Sequence, residues 1–163
     1  MAGAGTPLNN TMDDFSLRPG VPNVYGLVGS EANAIAAGKR PLSSMSPTIV
    51  LEAGTARLAV GGSGGPLIIT ATLQTLIDVL VFDMDVATAV SAPRIHEQWM
   101  PDRVYVESGI DEAVRASLSR RGHDVQVTPF GAAVQAVEIS TARGERIVRA
   151  ASDARKGGVA AGQ

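Results

Sequence analysis

The sequence predicts an α+β domain, an antiparallel sheet with helices packed on one face. Three observations carry that reading. Short β-prone runs bounded by turn residues occur near the middle of the chain, at 47–52 and 56–61. A long apolar run, 67–82, follows directly on a cluster of glycines and has helical length. The carboxy-terminal third then offers three further strand candidates in succession, 124–129, 133–140 and 146–151.

Taken in order, residues 1–8 are small and read as a flexible leader, and 9–155 as the folded domain. Asn9-Asn10-Thr11-Met12-Asp13-Asp14-Phe15 is polar with two embedded hydrophobes and leads into the turn-rich Arg18-Pro19-Gly20-Val21-Pro22-Asn23. Residues 26–40 show no clear period and read as a long ordered loop, a class that is usually functional or disordered. The runs at 47–52 and 56–61 flank Ala53-Gly54-Thr55 as a hairpin. A helix is expected over 66–81, with Thr70, Gln74 and Asp78 on one stripe forming a narrow solvent face. Asp85 to Val90 is a second short helix, stopped before Pro93. The alternation in Arg103-Val104-Tyr105-Val106-Glu107 predicts a strand. Asp111 to Arg121 is an amphipathic helix with Val114 and Leu118 on its apolar side, ended by Gly122. The tail at 156–163 is flexible by composition.

Length and composition narrow the function. A chain of 163 residues is most simply one domain, and one that size buries roughly 70% of its unfolded surface. A net charge of -2 gives no basic footprint, which argues against a nucleic-acid partner. The absence of cysteine removes disulfides, thiolate metal sites and a cysteine nucleophile. Thr70, Thr72, Gln74, Thr75 and Asp78 interrupt the apolar run, so it reads as a buried helix rather than a membrane span. No signal peptide is recognisable at the amino terminus.

The chemistry concentrates around Gly61-Gly62-Ser63-Gly64-Gly65. Glycines there allow close approach of the backbone to a ligand. A helix starting at Pro66 aims its unpaired N–H groups into that space, which suits an anion or a developing oxyanion. The same five residues match G-x-S-x-G, with Asp102 and His123 following in the chain order of a serine-hydrolase elbow. That architecture needs several parallel βα units before the serine, and only one hairpin precedes Ser63. In Pro41-Leu42-Ser43-Ser44-Met45-Ser46-Pro47-Thr48 the hydroxyls either cap a strand entrance or donate to a carboxylate. Asp13-Asp14 is either a solvated turn or a counter-ion for a substrate ammonium. His96 has no histidine near it in sequence and reads as a hydrogen-bonded structural residue, so no metal site is indicated. His123 reads as a surface residue at a strand entry.

Those segments, with Lys39-Arg40, Gly64-Gly65, Ala92-Pro93-Arg94 and Ala151-Ser152-Asp153, resemble in this order the small subunit of γ-glutamyltranspeptidases, from about residue 8 to the carboxy terminus. The resemblance implies an incomplete portion of an N-terminal-nucleophile hydrolase, an αββα sandwich. It also implies γ-glutamyl hydrolysis or transfer from glutathione and related amides, through an acyl-enzyme on a threonine freed by autoproteolysis. By resemblance Asp14 binds the substrate ammonium, with Thr11 nearby, and Ser43 and Ser44 bind its carboxylate. Gly64 and Gly65 form the oxyanion hole. No cofactor is implied; water, an amino acid or a peptide is the acceptor, a large subunit is the partner, and the location is periplasmic or extracellular.

The chain departs from the family pattern at three places. The segment carrying the catalytic threonine is expected to be missing, because Thr6 in Gly5-Thr6-Pro7 lacks the strand that should follow a nucleophile. Thr11 stands where Gln or Glu is usual, weakening one contact to the amine. Ser63 replaces a common proline. Three readings therefore stand side by side: the substrate pocket of a γ-glutamyltranspeptidase lacking its nucleophile, a non-catalytic module dependent on a partner, and a serine hydrolase using Ser63. A relative acting on glutaryl-type side chains is a variant of the first, which Asp14, Ser43 and Ser44 disfavour.

Overall fold

The computed structural model describes residues 9–129 and 131–162. The leader 1–8, with Thr6, lies outside them. The chain forms two compact units, the first ending at Ser43 and the second beginning at Ser44.

In the first unit the polar segment Thr11–Asp14 winds into a 3₁₀ turn, and Glu31–Asn33 forms another. Short bridges join Ser16 to Ala34 and Pro22 to Val28, which gives the long loop its order without regular secondary structure. Asn23 closes the intervening turn by accepting from the backbone N–H groups of Tyr25 and Leu27 at 2.9 and 3.0 Å. Among the described residues of this unit, Phe15 is the buried apolar one.

In the second unit, β1 (Thr48–Glu52) and β2 (Thr55–Ser63) form the expected hairpin, and Ala53 and Gly54 take the positive φ of 48° and 81° that a tight turn requires. Then follow α1 (Leu67–Leu80), α2 (Val86–Ser91), β3 (Ile95–His96), β4 (Val104–Glu107), α3 (Glu112–Arg120), β5 (Val125–Thr128), β6 (Ala133–Ala142) and β7 (Glu145–Ser152). Asp85 and Asp111 cap α2 and α3, each accepting backbone N–H groups of the first turn. The strands divide into two sheets rather than one. A four-stranded antiparallel sheet runs in the order β1-β2-β6-β7, and β3-β4-β5 form a second sheet in which β4 and β5 are parallel. The helix α3 between β4 and β5 supplies the crossover that a parallel pair demands.

Helices α1 and α2 cover one face of the larger sheet. Leu58 and Val60 of β2 and Val134 and Ala136 of β6 alternate into that core, where they meet Ile68, Val79, Val86 and Val90. Full burial of each large side chain contributes about 1.5–3 kcal/mol. The intervening residues, Ala59 and Val137 among them, point to the opposite face, which also carries Ile49 and Val148.

Two expectations need correction. Gly61, Gly62 and Ser63 are not loop: they extend β2, paired with Gln135, Val134 and Ala133, because β6 continues alongside them. The stripe Thr70–Gln74–Asp78 is not the solvent face of α1. Thr70 and Gln74 are spent on β3, and the outermost face is apolar. Helix α3 buries none of its residues, and Val114 is half exposed.

Candidate functional site

In the first unit one side chain ties the two predicted substrate-binding segments together. The amide of Asn33 donates to the Asp14 carbonyl at 2.7 Å and accepts from the Leu42 N–H at 3.0 Å. Its own carbonyl accepts from Ser16 N–H at 3.0 Å. The backbone of Asp14 and the residue just before Ser43 are thus held from one amide. Gly29 allows this folding-back, because a Cβ there would lie 1.8 Å from the Ser16 hydroxyl. Asn10 donates to Asp13 at 2.6 Å, and Asn9 accepts from the Thr11 N–H at 3.1 Å, which fixes the 3₁₀ turn ahead of Asp14. Burial, and then repulsion from Asp13, raise the Asp14 carboxyl above the ordinary carboxylate value.

In the second unit the predicted anion loop shrinks to the step from β2 into α1. Gly64 and Gly65 have φ of 147° and 60°. A Cβ on Gly64 would stand 2.8 Å from the Ala132 Cα, so conformation and space both demand glycine. The Gly65 carbonyl accepts from the Ile68 N–H at 3.1 Å, starting α1 directly behind the pair. Because Thr48 pairs with Val60, the chain before β1, which includes Ser44, leaves the sheet at the end where β2 turns through Gly64 and Gly65. There the Ser46 hydroxyl donates to the Ser44 carbonyl at 3.1 Å.

Ser63 is exposed, and its hydroxyl accepts from Lys156 Nζ at 2.8 Å rather than meeting a histidine. That contact brings the start of the tail onto the end of β2, and the tail as far as Ala161 lines a groove with Ile49, Ala59 and Val137.

Behind Ala132 lies an ion network that residue patterning alone does not show. Buried Arg94 donates to the Ala132 carbonyl at 2.8 Å and to Asp153 at 3.0 Å, while Asp153 accepts from the Val134 N–H at 2.9 Å. Arg155 donates to Glu107 and Asp153 and to the carbonyls of Val90 and Ala92. Burial by itself would raise the Asp153 carboxyl, but N–H donors from Arg155 and Val134 and the two guanidinium groups hold it below its ordinary value. The network therefore anchors the strand start against which Gly64 packs. His96 is structural, as expected: its ring nitrogens bond Thr70 and Gln98, each at 2.8 Å, and the ring stacks on Tyr105.

The whole chain, residues 1–163, matches the family model described as gamma-glutamyltranspeptidase. The glutathione hydrolase proenzyme of Escherichia coli (strain K12) is 46% identical over 136 residues, 83% of this chain and 23% of that protein. The glutathione hydrolase proenzyme of Pseudomonas sp. (strain A14) is 53% identical over 106 residues, 65% of this chain and 18% of its own length. Among solved structures, a Helicobacter pylori gamma-glutamyltranspeptidase variant superposes with a TM-score of 0.87 at 46% identity, over 96% of this chain and 84% of that one. The Pseudomonas nitroreducens enzyme complexed with L-DON gives 0.85 at 38% identity, over 100% and 84%. The chain thus spans 23% and 18% of the length of these two curated relatives.

Proposed function

The chain belongs to the γ-glutamyltranspeptidase family, with its N-terminal-nucleophile hydrolase fold, and from that premise we propose that it holds the γ-glutamyl group of glutathione and related amides during hydrolysis or transfer. The observation that carries the proposal is the Asn33 clasp, which within the first unit holds the Asp14 carbonyl and the Leu42 N–H, just before Ser43, from one amide. A free amino-acid head group carries one ammonium and one carboxylate, and those two segments offer the complementary chemistry. Asp14, with Thr11 at its side, takes the ammonium. Ser43 and Ser44 donate to the carboxylate.

The reacting carbonyl lies in this scheme at Gly64 and Gly65, whose N–H groups receive the negative charge that develops on its oxygen. A threonine outside these 163 residues attacks the γ-carbonyl. The amine of the donor leaves, and water or the amino group of an amino acid or peptide resolves the acyl-enzyme. A large subunit is the partner, and the location is periplasmic or extracellular. An acivicin-inhibited gamma-glutamyltranspeptidase, 46% identical to this chain, has been described with critical roles for its C-terminus in autoprocessing and catalysis. In this chain the hydrogen bond from Lys156 to Ser63, the residue before Gly64, supports a role for the segment around Lys156 in the same chemistry.

The test compares two substrates in the assembled enzyme that carries this chain. Asp14→Ala should lower kcat/KM for γ-glutamyl-p-nitroanilide strongly and leave glutaryl-p-nitroanilide, which lacks the ammonium, little changed. Ser43→Ala/Ser44→Ala should lower both. An equal loss on the two substrates in Asp14→Ala would remove Asp14 from the ammonium site. Fluorophosphonate labelling that disappears in Ser63→Ala would replace the whole scheme with serine chemistry.

A further inference from the structure

His96 is buried, and its proton count decides where a neighbouring hydroxyl points. The Gln98 amide donates its N–H to the Met100 carbonyl at 3.1 Å, which turns its oxygen toward His96 Nε2 at 2.8 Å. A bond to that oxygen requires a proton on Nε2. The neutral ring is therefore the Nε2–H tautomer, with Nδ1 bare. Nδ1 lies 2.8 Å from the Thr70 hydroxyl, and the same hydroxyl lies 3.2 Å from the Leu67 carbonyl. A threonine has one hydroxyl proton to give. Opposite a bare Nδ1 that proton goes to the ring, and the Leu67 carbonyl loses it. A second proton on the ring reverses the order: Nδ1–H donates to Thr70, and the Thr70 hydroxyl is released to donate to Leu67. The protonated ring thus keeps one bond more than the neutral one.

We propose that His96 is a positioning residue for the oxyanion step, setting the Thr70 hydroxyl and with it the first turn of α1 according to whether the ring is protonated. The inference rests on the reading above, in which Gly64 and Gly65 receive the developing charge. Leu67 opens α1 directly after Gly65 and Pro66, and the Gly65 carbonyl accepts from the Ile68 N–H at 3.1 Å in the same turn. A threonine hydroxyl that bonds back to a carbonyl one turn earlier alters the bend of a helix. The extra bond of the protonated state ties that turn, through Thr70 and the ring, to β3. Arg94 before β3 and Glu107 at the end of β4 line a cavity with His96 and Thr70, and β5 adds Thr128 to it. Arg94 is paired with Asp153 and Glu107 with Arg155, so neither locks the ring in one state. Tyr105 stacks on the ring, and Arg103 near it is paired with Asp124. Glu97 accepts from the Trp99 N–H, and Asp78 of α1 lies about two turns beyond Thr70.

The test uses the assembled enzyme that carries this chain, as wild type, Thr70→Val, Thr70→Ser and His96→Asn. Valine has the shape of threonine without its hydroxyl, so it breaks the relay and leaves the ring. Rates on γ-glutamyl-p-nitroanilide are measured from about pH 5 to 8, the range in which histidine changes charge. The kcat ratio of wild type to Thr70→Val is taken at each pH, which cancels every titration the two enzymes share. One hydrogen bond predicts that this ratio rises by about 2- to 10-fold as pH falls through the titration of His96. That titration is followed by NMR of ring-labelled histidine, on the signal that is absent from His96→Asn. Thr70→Ser should track wild type, and His96→Asn should show no step. If Thr70→Val does not fold, the ratio of wild type to His96→Asn replaces it. A flat ratio, a step away from the titration of the ring, or a ring that keeps one state over the whole range overturns the proposal. Amide hydrogen exchange of the peptide spanning 65–72, compared with Thr70→Val at each pH, reads the same turn without turnover. A wild-type enzyme that does not hydrolyse the substrate, yet exchanges more slowly once the ring is protonated, removes the catalytic reading and keeps the relay. An active enzyme in which neither exchange nor ratio follows the ring removes the relay alone.

Discussion

Replacing Asn33 by alanine tests whether the clasp, rather than the binding groups themselves, sets substrate affinity. The substitution removes a 2.7 Å bond to the Asp14 carbonyl and a 3.0 Å bond from the Leu42 N–H, and leaves the backbone bond to Ser16 in place. A net contribution of about 0.5–1.5 kcal/mol per bond makes the two together worth about 1–3 kcal/mol. If that energy positions Asp14 and Ser43, its loss appears as a fall of about 5- to 150-fold in kcat/KM. The loss should fall mainly on KM, since Asn33 bonds the two segments proposed to hold the head group. Initial rates on γ-glutamyl-p-nitroanilide across a KM-spanning range, with a circular-dichroism melt as a fold control, measure it. Asn33→Asp keeps the acceptor for Leu42 and loses the donor to Asp14, so it should fall between wild type and alanine. A wild-type KM in a folded Asn33→Ala enzyme would refute the positioning argument, whatever happened to stability.

Three further outcomes follow from the geometry. Gly64→Ala places a Cβ 2.8 Å from the Ala132 Cα at a φ of 147°, and should lower kcat by about 10²–10³-fold, the cost of one misplaced oxyanion donor. Adding Ala132→Gly should restore little of it in the same rate assay, because the nearest atom is backbone. Asp14 is raised by burial and by Asp13, and it must be ionised to hold an ammonium, so the acid limb of kcat/KM should lie above the ordinary aspartate value of about 3.9. Asp13→Asn should move that limb down, and an unmoved limb in the pH–rate profile would reject Asp14 as the titrating group. Asp153 is depressed, so the stability it contributes is complete above about pH 4 and is lost as pH falls through its folded value. Asp153→Asn leaves Arg94 buried with no carboxylate and should cost about 3–5 kcal/mol at neutral pH. The difference from wild type, read from urea midpoints at a series of pH values, should shrink as the pH is lowered.

Local patterning made much of the fold legible. The turn at Ala53-Gly54, the limits of α1 and α2 and the strand at 104–107 all follow from period and punctuation in windows shorter than a dozen residues. What stayed hidden depends on pairing across long separations. Asn33 reaches 19 residues back and 9 forward, Arg94 finds Asp153 59 residues away, and Lys156 meets Ser63 across 93. No window contains such pairs, although an arginine after Ala92-Pro93 and an aspartate after Ala151-Ser152 stood out as segments of the resemblance. The face of α1 was misread for a related reason. Threonine and glutamine at helical spacing look like a solvent stripe, but a short strand beside the helix can take up the same donors and acceptors. That two-residue strand, β3, is too brief to leave a periodic signal.

The ion network and the glycine step belong to one physical argument. An oxyanion donor is effective only if its N–H is already aimed when charge appears, since reorganisation at that moment would cost the stabilisation it provides. Glycine is the least constrained residue, and two in succession would by themselves make a poor fixed donor. Here the backbone of Ala132 blocks Gly64 on one side. That backbone is pinned in turn by Arg94 at its carbonyl, and by Asp153 at the Val134 N–H two residues on. Continuous pairing of Gly62 and Ser63 with Val134 and Ala133 brings the step to the same place from the other strand. Conformational freedom is thus permitted by sequence and removed by packing, at the two residues where the proposed chemistry needs a fixed backbone.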